Sequence, residues 1–248
     1  GFTQLVDGMV TTQFYGGDKR PGSSAYAGGT QDNGTWMSEP DPINLSPWTH
    51  VIGGDGYEVS WHFNDPTRII GGYQYNGLQR SLDGGMTWSG AQTSVSPVGF
   101  IDNGGGNAPF ITKIAKTNAN PDFLCAVGRR GVWRSTDFGG TWSLFAIPAG
   151  SWGTISSFHC VRISRADPNV VWAGSRMDAP ASGNVRIFRS TNAAVGFSVV
   201  NSYSAVNLGG ISGLATHPTD ANTAYVLFSM AGRPKIVRTT DGGVNWTD

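Results

Sequence analysis

The chain has little charge. Of 248 residues only 14% are Asp, Glu, Lys or Arg, and 17 basic residues balance 17 acidic ones at a pI near 7.1. No basic field is present to attract a nucleic acid, and no Lys/Arg run to meet a membrane surface. No apolar run approaches the roughly 18 residues of a transmembrane helix, so no membrane insertion is expected. Cysteine is scarce: Cys125 and Cys160 fall in stretches that read as buried strands of different repeats. Two buried free thiols are expected there, and a disulfide stays open. No 3.6-residue apolar stripe marks a helix. No His/Cys/Asp cluster has metal-ligand spacing, and no Ser/His/Asp elbow occurs. The run Gly104-Gly105-Gly106 lacks the Lys-Ser/Thr that completes a phosphate loop. No cofactor and no metal are expected. The sequence opens at Gly1 without a signal-peptide pattern and reads as a mature or excised piece.

Glycine and tryptophan are abundant, at 36 and 9 residues. With little charge, this composition fits an all-β protein with many tight turns. One octapeptide organises the chain. Ser81-Leu82-Asp83-Gly84-Gly85-Met86-Thr87-Trp88 recurs as Ser135-Thr136-Asp137-Phe138-Gly139-Gly140-Thr141-Trp142 and as Thr239-Thr240-Asp241-Gly242-Gly243-Val244-Asn245-Trp246. A worn copy runs from Ser190 to Phe197, and in a degenerate first copy Ser38 takes the serine position, with an insertion before Trp48. A fixed period of this size marks one supersecondary unit used repeatedly.

Each repeat has the same internal order. An alternating strand comes first, as in Tyr57 to Phe63 or Ile211 to His217. An Asp/Pro/Asn turn and an apolar second strand follow, a third strand enters the box, and a fourth leaves it. Four short strands per 40 to 55 residues predict an all-β fold, a β-propeller of four-stranded antiparallel blades, about five in this chain. The blades are expected at about 9–53, 54–97, 98–149, 150–201 and 202–248. Phe2 to Val6 reads as a further outer strand. It either closes a five-bladed ring or is the cut end of a larger, six- to eight-bladed propeller. The duplicated role of Phe2 and Trp246 favours the second.

The box reads as scaffold. An Asp early in a tight turn accepts hydrogen bonds from nearby N–H groups, the Gly pair permits positive φ, and the aromatic packs between strands. Asp83, Trp88, Asp137, Trp142, Phe197, Asp241 and Trp246 are therefore expected to be structural.

The pattern Ser-x-Asp-x-Gly-x-Thr-Trp resembles the Asp-box, or BNR repeat. That repeat occurs in sialidases, xyloglucanase-type glycoside hydrolases, sortilin-like receptors and many secreted bacterial propellers. The run Tyr26 to Thr35, followed by Gly53-Gly54-Asp55-Gly56, resembles a subgroup of large exported bacterial proteins of this kind. The resemblance implies a propeller and a secreted or cell-surface location. It does not separate enzymes from non-enzymes.

In such a fold the boxes lie on one face, and the turns between second and third strands lie on the other, with the blade-to-blade links. The candidate ligand-binding residues on that second rim are Gln31, Asn33, Tyr57, Gln74, Tyr75, Asn76, Arg129, Arg130, Trp152, Arg176 and Asp178. The candidate carboxylates are Asp32, Asp55 and Asp102. Carboxylates beside aromatic rings suit a carbohydrate, whose rings stack and whose hydroxyls bond carboxylates and amides. A protein ligand is the other expected partner. The expected function is a non-catalytic module binding a glycan or protein. The alternative is a glycoside hydrolase with Asp32 and Asp55 as acid and base. Asp32-Asn33-Gly34 and Gly54-Asp55-Gly56 also read as plain turns, and Asp102 begins a flexible loop. Sialidase chemistry needs an arginine triad, for which Arg129, Arg130 and Arg176 are the candidates. The Arg-Ile-Pro motif that accompanies it is absent. His159 reads as a hydrogen-bonded side chain of an inner strand.

Overall fold

The computed structural model describes residues 12–43, 46–181, 183–203 and 206–248. The expected outer strand at Phe2 to Val6 lies outside them. Among the described residues five sheets follow one another along the chain, one per repeat, each built on an antiparallel core. The first holds β1 (Phe14–Lys19), β2 (Tyr26–Thr30), β3 (Gly34–Ser38) and β4 (Trp48–Ile52), paired in chain order. The second holds β5 (Ser60–His62), β6 (Asp65–Tyr73), β7 (Gly77–Ser81) and β8 (Ser89–Gly90). Two short strands then intervene, β9 (Thr93–Ser96) and β10 (Val98–Phe100). The third sheet is built on β11 (Ile114–Lys116), β12 (Leu124–Gly128), β13 (Gly131–Ser135) and β14 (Trp142–Ala146). The fourth has β15 (Cys160–Ile163), β16 (Val171–Gly174), β17 (Ile187–Ser190) and β18 (Ser198–Val199). The fifth has β19 (Ile211–Thr216), β20 (Ala224–Phe228) and β21 (Ile236–Thr239), with Arg238 bridging to Thr247.

The third sheet departs from four strands. β9 pairs parallel with β14 and antiparallel with β10, giving six strands in the order β10-β9-β14-β13-β12-β11. One helical turn, α1 (Ala149–Trp152), precedes the fourth sheet. Four residues are too few to write a helical stripe into a sequence, which is why none was legible.

Packing explains the order of the sheets. The apolar residues that alternate along each strand meet those of the next sheet. Ala27 of the first sheet packs with Val59, Trp61 and Ile69 of the second. Ile70 and Leu78 pack with Leu124, Trp133 and Trp142 of the third. Val127 and Val132 pack with Val161, Val171 and Ala173 of the fourth. Trp172 and Ile187 pack with Leu214, Val226 and Val237 of the fifth. The first strands of the sheets line up side by side, β1 with β5, β11 with β15, and β15 with β19. Asp18 lies in β1, and its Oδ2 accepts the Trp61 N–H at 2.8 Å from the neighbouring sheet. Cys125 and Cys160 are free thiols, and burial pushes that of Cys160 up to about 12.

The boxes repeat to the atom. Ser81 Oγ donates to Asp83 Oδ1 at 2.7 Å and accepts the Gly85 N–H at 2.8 Å, while Asp83 Oδ1 accepts the Thr87 N–H at 2.9 Å. Ser135, Asp137, Gly139 and Thr141 give 2.8, 2.8 and 2.9 Å for the same bonds. Thr239, Asp241, Gly243 and Asn245 give 2.9, 2.9 and 2.9 Å. The worn copy keeps the network with Asn192 Oδ1 as acceptor, at 2.7 Å from Ser190 Oγ and 3.0 Å from the Gly196 N–H. The Thr87 hydroxyl and N–H hold the Asp83 carboxyl down at about 2, and the Asn245 N–H and side chain do the same for Asp241.

Two consecutive residues after the Asp take positive φ in every box: 78° and 96° at Gly84 and Gly85, but 55° and 63° at Ala193 and Ala194. A left-handed alanine costs about 1–2 kcal/mol, of which glycine's greater freedom when unfolded returns about half. Ala193→Gly is therefore expected to raise the unfolding free energy by about 0.5 kcal/mol, read as a higher urea midpoint at unchanged slope.

Candidate functional site

Strands in each sheet are antiparallel, so the turn between second and third strands lies at the opposite end from the box. At that end the first two sheets are stitched together. The Asp32 N–H donates to Asp55 Oδ1 at 2.9 Å, and the Asp55 N–H donates to Gln74 Oε1 at 3.1 Å. Asp32 sits in the β2–β3 turn with φ 59°, Asp55 in the link between sheets, and Gln74 in the β6–β7 turn. The hydrogen bond between Asp32 and Asp55, then partial burial and the charge of Asp55, hold the Asp32 carboxyl above its ordinary value. Among the described residues neither carboxyl forms an ion pair with a basic side chain.

Behind this pair runs a row of rings. Tyr15 and Tyr57 have centroids 4.9 Å apart, Tyr57 and Phe110 5.4 Å, and Phe110 and Tyr75 5.3 Å. Tyr57 is buried and its hydroxyl has no hydrogen-bond partner. Burial first, then the charges of Asp55 and the neighbouring groups, push that hydroxyl up. Tyr75 and Asn76 both have positive φ, 59° and 58°, in the three-residue turn between β6 and β7. A bulky aromatic in the left-handed region is strained, and such strain concentrates at binding sites.

Beside Tyr75 opens a cleft of about 460 Å³. Tyr73, Tyr75 and Phe100 supply rings, and Gln74, Gln92 and Asn103 supply amides. No charged side chain lines it. Phe100 arrives on β10 and is 67% exposed, so its ring is free to meet a ligand. The Gly104 N–H donates to the Tyr75 carbonyl at 3.0 Å and fixes the loop against the turn. A hollow of about 440 Å³ also lies on the box face, but its walls are box turns, and Arg189 there is bonded to Asn222 at 2.7 Å.

The sequence-predicted residues divide in two. Gln31, Asp32, Asn33, Asp55, Gln74 and Tyr75 come together on the rim of the first two sheets. Asn33 folds back on its own turn, its Nδ2 donating to the Gln31 carbonyl at 2.8 Å. The others are held by the scaffold or stand apart. Asn76 is fully buried and its Nδ2 donates to the carbonyls of Asp102 and Val127 at 2.9 and 2.8 Å. Asp102 is buried, accepting Arg130 N–H groups at 2.8 and 2.7 Å and the Trp133 Nε1–H at 3.3 Å. Arg129 stays exposed at the β12–β13 turn, where its N–H donates to the Asn107 carbonyl. Trp152 is fully buried and donates to the Gly128 carbonyl at 2.8 Å. Arg176 donates to Asp178 at 3.1 Å, and Asp178 is buried. His159 is buried against Trp152, and burial lowers it to about 4. Among the described residues no group of three metal-ligating side chains occurs.

Tyr15, Tyr73, Gln92, Phe100 and Phe110 were not anticipated. Tyr73 ends the Gly71-Gly72-Tyr73 strand two residues before Tyr75, a spacing that places both at one turn. Phe100 had no such signal, because its position depends on β9 joining β14.

No protein-family model and no curated protein sequence matches the chain. Solved structures do. A GH74 enzyme of Niastella koreensis superposes at TM-score 0.61 with 19% identity, covering 95% of this chain and 30% of that one. An ancestral GH74 enzyme gives 0.64 and 18%, covering 95% and 31%. YCF48 bound to D1 peptide gives 0.58 and 12%, covering 95% and 66%. All are β-propeller proteins. The fold is of the β-propeller type. At these identities the likeness extends to the propeller scaffold alone, and the chain spans under a third of the length of the GH74 enzymes. Within the propeller the box turns and the Asp32–Asp55–Gln74 stitch lie at opposite ends of the blades.

Proposed function

We propose that this propeller is an exported module that binds a glycan on the rim opposite the boxes, without cleaving it. The carrying observation is the stitch in which Asp55 Oδ1 accepts the Asp32 backbone N–H at 2.9 Å. Glycosidases hold their two carboxyls roughly 5 to 9.5 Å apart, flanking the scissile bond. With Asp55 Oδ1 held on the Asp32 backbone N–H, the two residues serve a turn-to-link stitch. They present acceptors to sugar hydroxyls instead, beside a cleft whose rings and amides suit stacking and hydroxyl recognition. The test is binding to a glycan array with reducing-sugar release assayed in parallel. Binding without release is expected, and Tyr75→Ala and Phe100→Ala are each expected to weaken the best ligand at least about tenfold, or 1.4 kcal/mol. Wild-type binding by both variants would move the site elsewhere.

The likeness to GH74 enzymes supports a second reading, hydrolysis with Asp32 and Asp55 as acid and base. Sugar release abolished by Asp32→Asn or Asp55→Asn would establish it. The solved complex of YCF48 with a peptide makes a peptide the remaining ligand class to include in the same screen.

A further inference from the structure

Three Asn-Gly dipeptides occur in the chain: Asn33-Gly34, Asn76-Gly77 and Asn103-Gly104. Glycine lacks the Cβ that would keep its amide nitrogen away from the preceding side chain, so in a free chain all three are prone to the same cyclisation. The fold separates them. Asn76 is fully buried, its Nδ2 donates to the carbonyls of Asp102 and Val127, and the Gly77 N–H donates to the Gln74 carbonyl at 3.3 Å. The Asn33 Nδ2 is held on the Gln31 carbonyl at 2.8 Å, and Gly34 opens β3, paired with Thr30. Asn103 is different. Its side-chain amide makes no hydrogen bond among the described residues. Gly104, Gly105 and Gly106 follow it, all exposed, and a Cβ at Gly104 or Gly106 would meet nothing within 4 Å. One bond restrains the Gly104 nitrogen, its N–H donating to the Tyr75 carbonyl at 3.0 Å, and a loop gives up such a bond without opening a sheet.

We propose that Asn103 is a site of spontaneous deamidation, which turns the neutral wall of the Tyr75 cleft into an anionic one. The Gly104 amide nitrogen loses its proton to hydroxide and attacks Asn103 Cγ. The N–Cγ bond forms, the Cγ–Nδ2 bond breaks, and Nδ2 leaves as ammonia with a proton from water. Water then opens the cyclic imide at either carbonyl. The product is aspartate or, with the backbone rerouted through the side chain, isoaspartate. Either one brings a carboxylate to a cleft that no charged side chain lines, and isoaspartate also shifts the Gly104 N–H away from the Tyr75 carbonyl. The effect on a ligand rests on glycan binding in this cleft; the modification does not.

The test is peptide mapping by mass spectrometry of the native chain aged at mildly alkaline pH, with isoaspartate identified by enzymatic methylation. Asn103 is expected to convert at least about tenfold faster than Asn33 or Asn76, whose release requires strands to separate. In a urea-unfolded sample the three rates are expected to converge to within about threefold, because only the fold distinguishes them. Glycan binding by the aged protein is measured alongside. Conversion at Asn103 with binding unchanged upholds the modification and counts against the cleft as the ligand site. Equal native rates at the three positions, a faster Asn33, or an Asn103 still intact when the unfolded sample has converted would overturn the proposal.

Discussion

Trp142→Ala is expected to lower the unfolding free energy by about 4 kcal/mol, the upper range for truncating a fully buried aromatic. The ring is completely enclosed among Ile70, Leu78, Leu124 and Trp133, so it belongs to the seam between the second and third sheets. Its Nε1–H donates to the Ala91 carbonyl at 2.8 Å, and removal leaves that carbonyl without its partner. Trp88 holds the same place in the preceding box but is only half-buried, and its Nε1–H bonds within its own turn, to the Gly85 carbonyl at 3.0 Å. Trp88→Ala is therefore the internal control, with a loss of about 1–2 kcal/mol. Urea denaturation followed by far-ultraviolet circular dichroism measures both. Equal losses would show that the box aromatic acts through its turn and not through the seam.

Asp102→Ala carries the second large effect. The carboxylate is buried and satisfied on both oxygens, by Arg130 and by Trp133 Nε1. Its removal orphans the Trp133 and Arg130 donors within the third sheet. Breaking a buried pair costs about 3–5 kcal/mol, and the Arg130 side chain is 41% exposed and can turn to water. A loss of about 3 kcal/mol is expected. Glycan binding measured well below the melting transition is expected to persist, because Asp102 does not reach the rim surface. Lost binding with unchanged melting would return Asp102 to the ligand site.

What the sequence disclosed depends on the range of the interaction concerned. The boxes were legible because their bonds are local: serine, aspartate and the donating N–H groups lie within seven residues, and positive φ favours small residues there. The worn copy kept its turn because Asn192 retains one acceptor oxygen, which the spelling Ser190-Thr191-Asn192 already showed. The turn that carries Asp32 was legible for the same reason, since turn sequences announce themselves, while its bond to Asp55 spans 23 positions. Roles set by distant partners were not. Asn76 looks like a turn amide, yet its bonds go to Asp102 and to Val127, 26 and 51 positions away. Asp18 looks like a turn residue, yet its partner Lys116 lies 98 positions on. Nothing short of knowing which strands become neighbours could have revealed either, nor the hairpin of β9 and β10 that brings Phe100 to the cleft.

The division of the interior into four seams has a consequence for cooperativity. Each seam joins only two consecutive sheets, so the folding free energy accumulates as nearest-neighbour couplings, much as in a linear chain of spins. Among the described residues the second, third and fourth sheets each belong to two seams, the third with Val127 and Val132 on one and Trp133 and Trp142 on the other. A lesion in any of these three weakens two couplings at once, so their amides are expected to be protected from exchange by both.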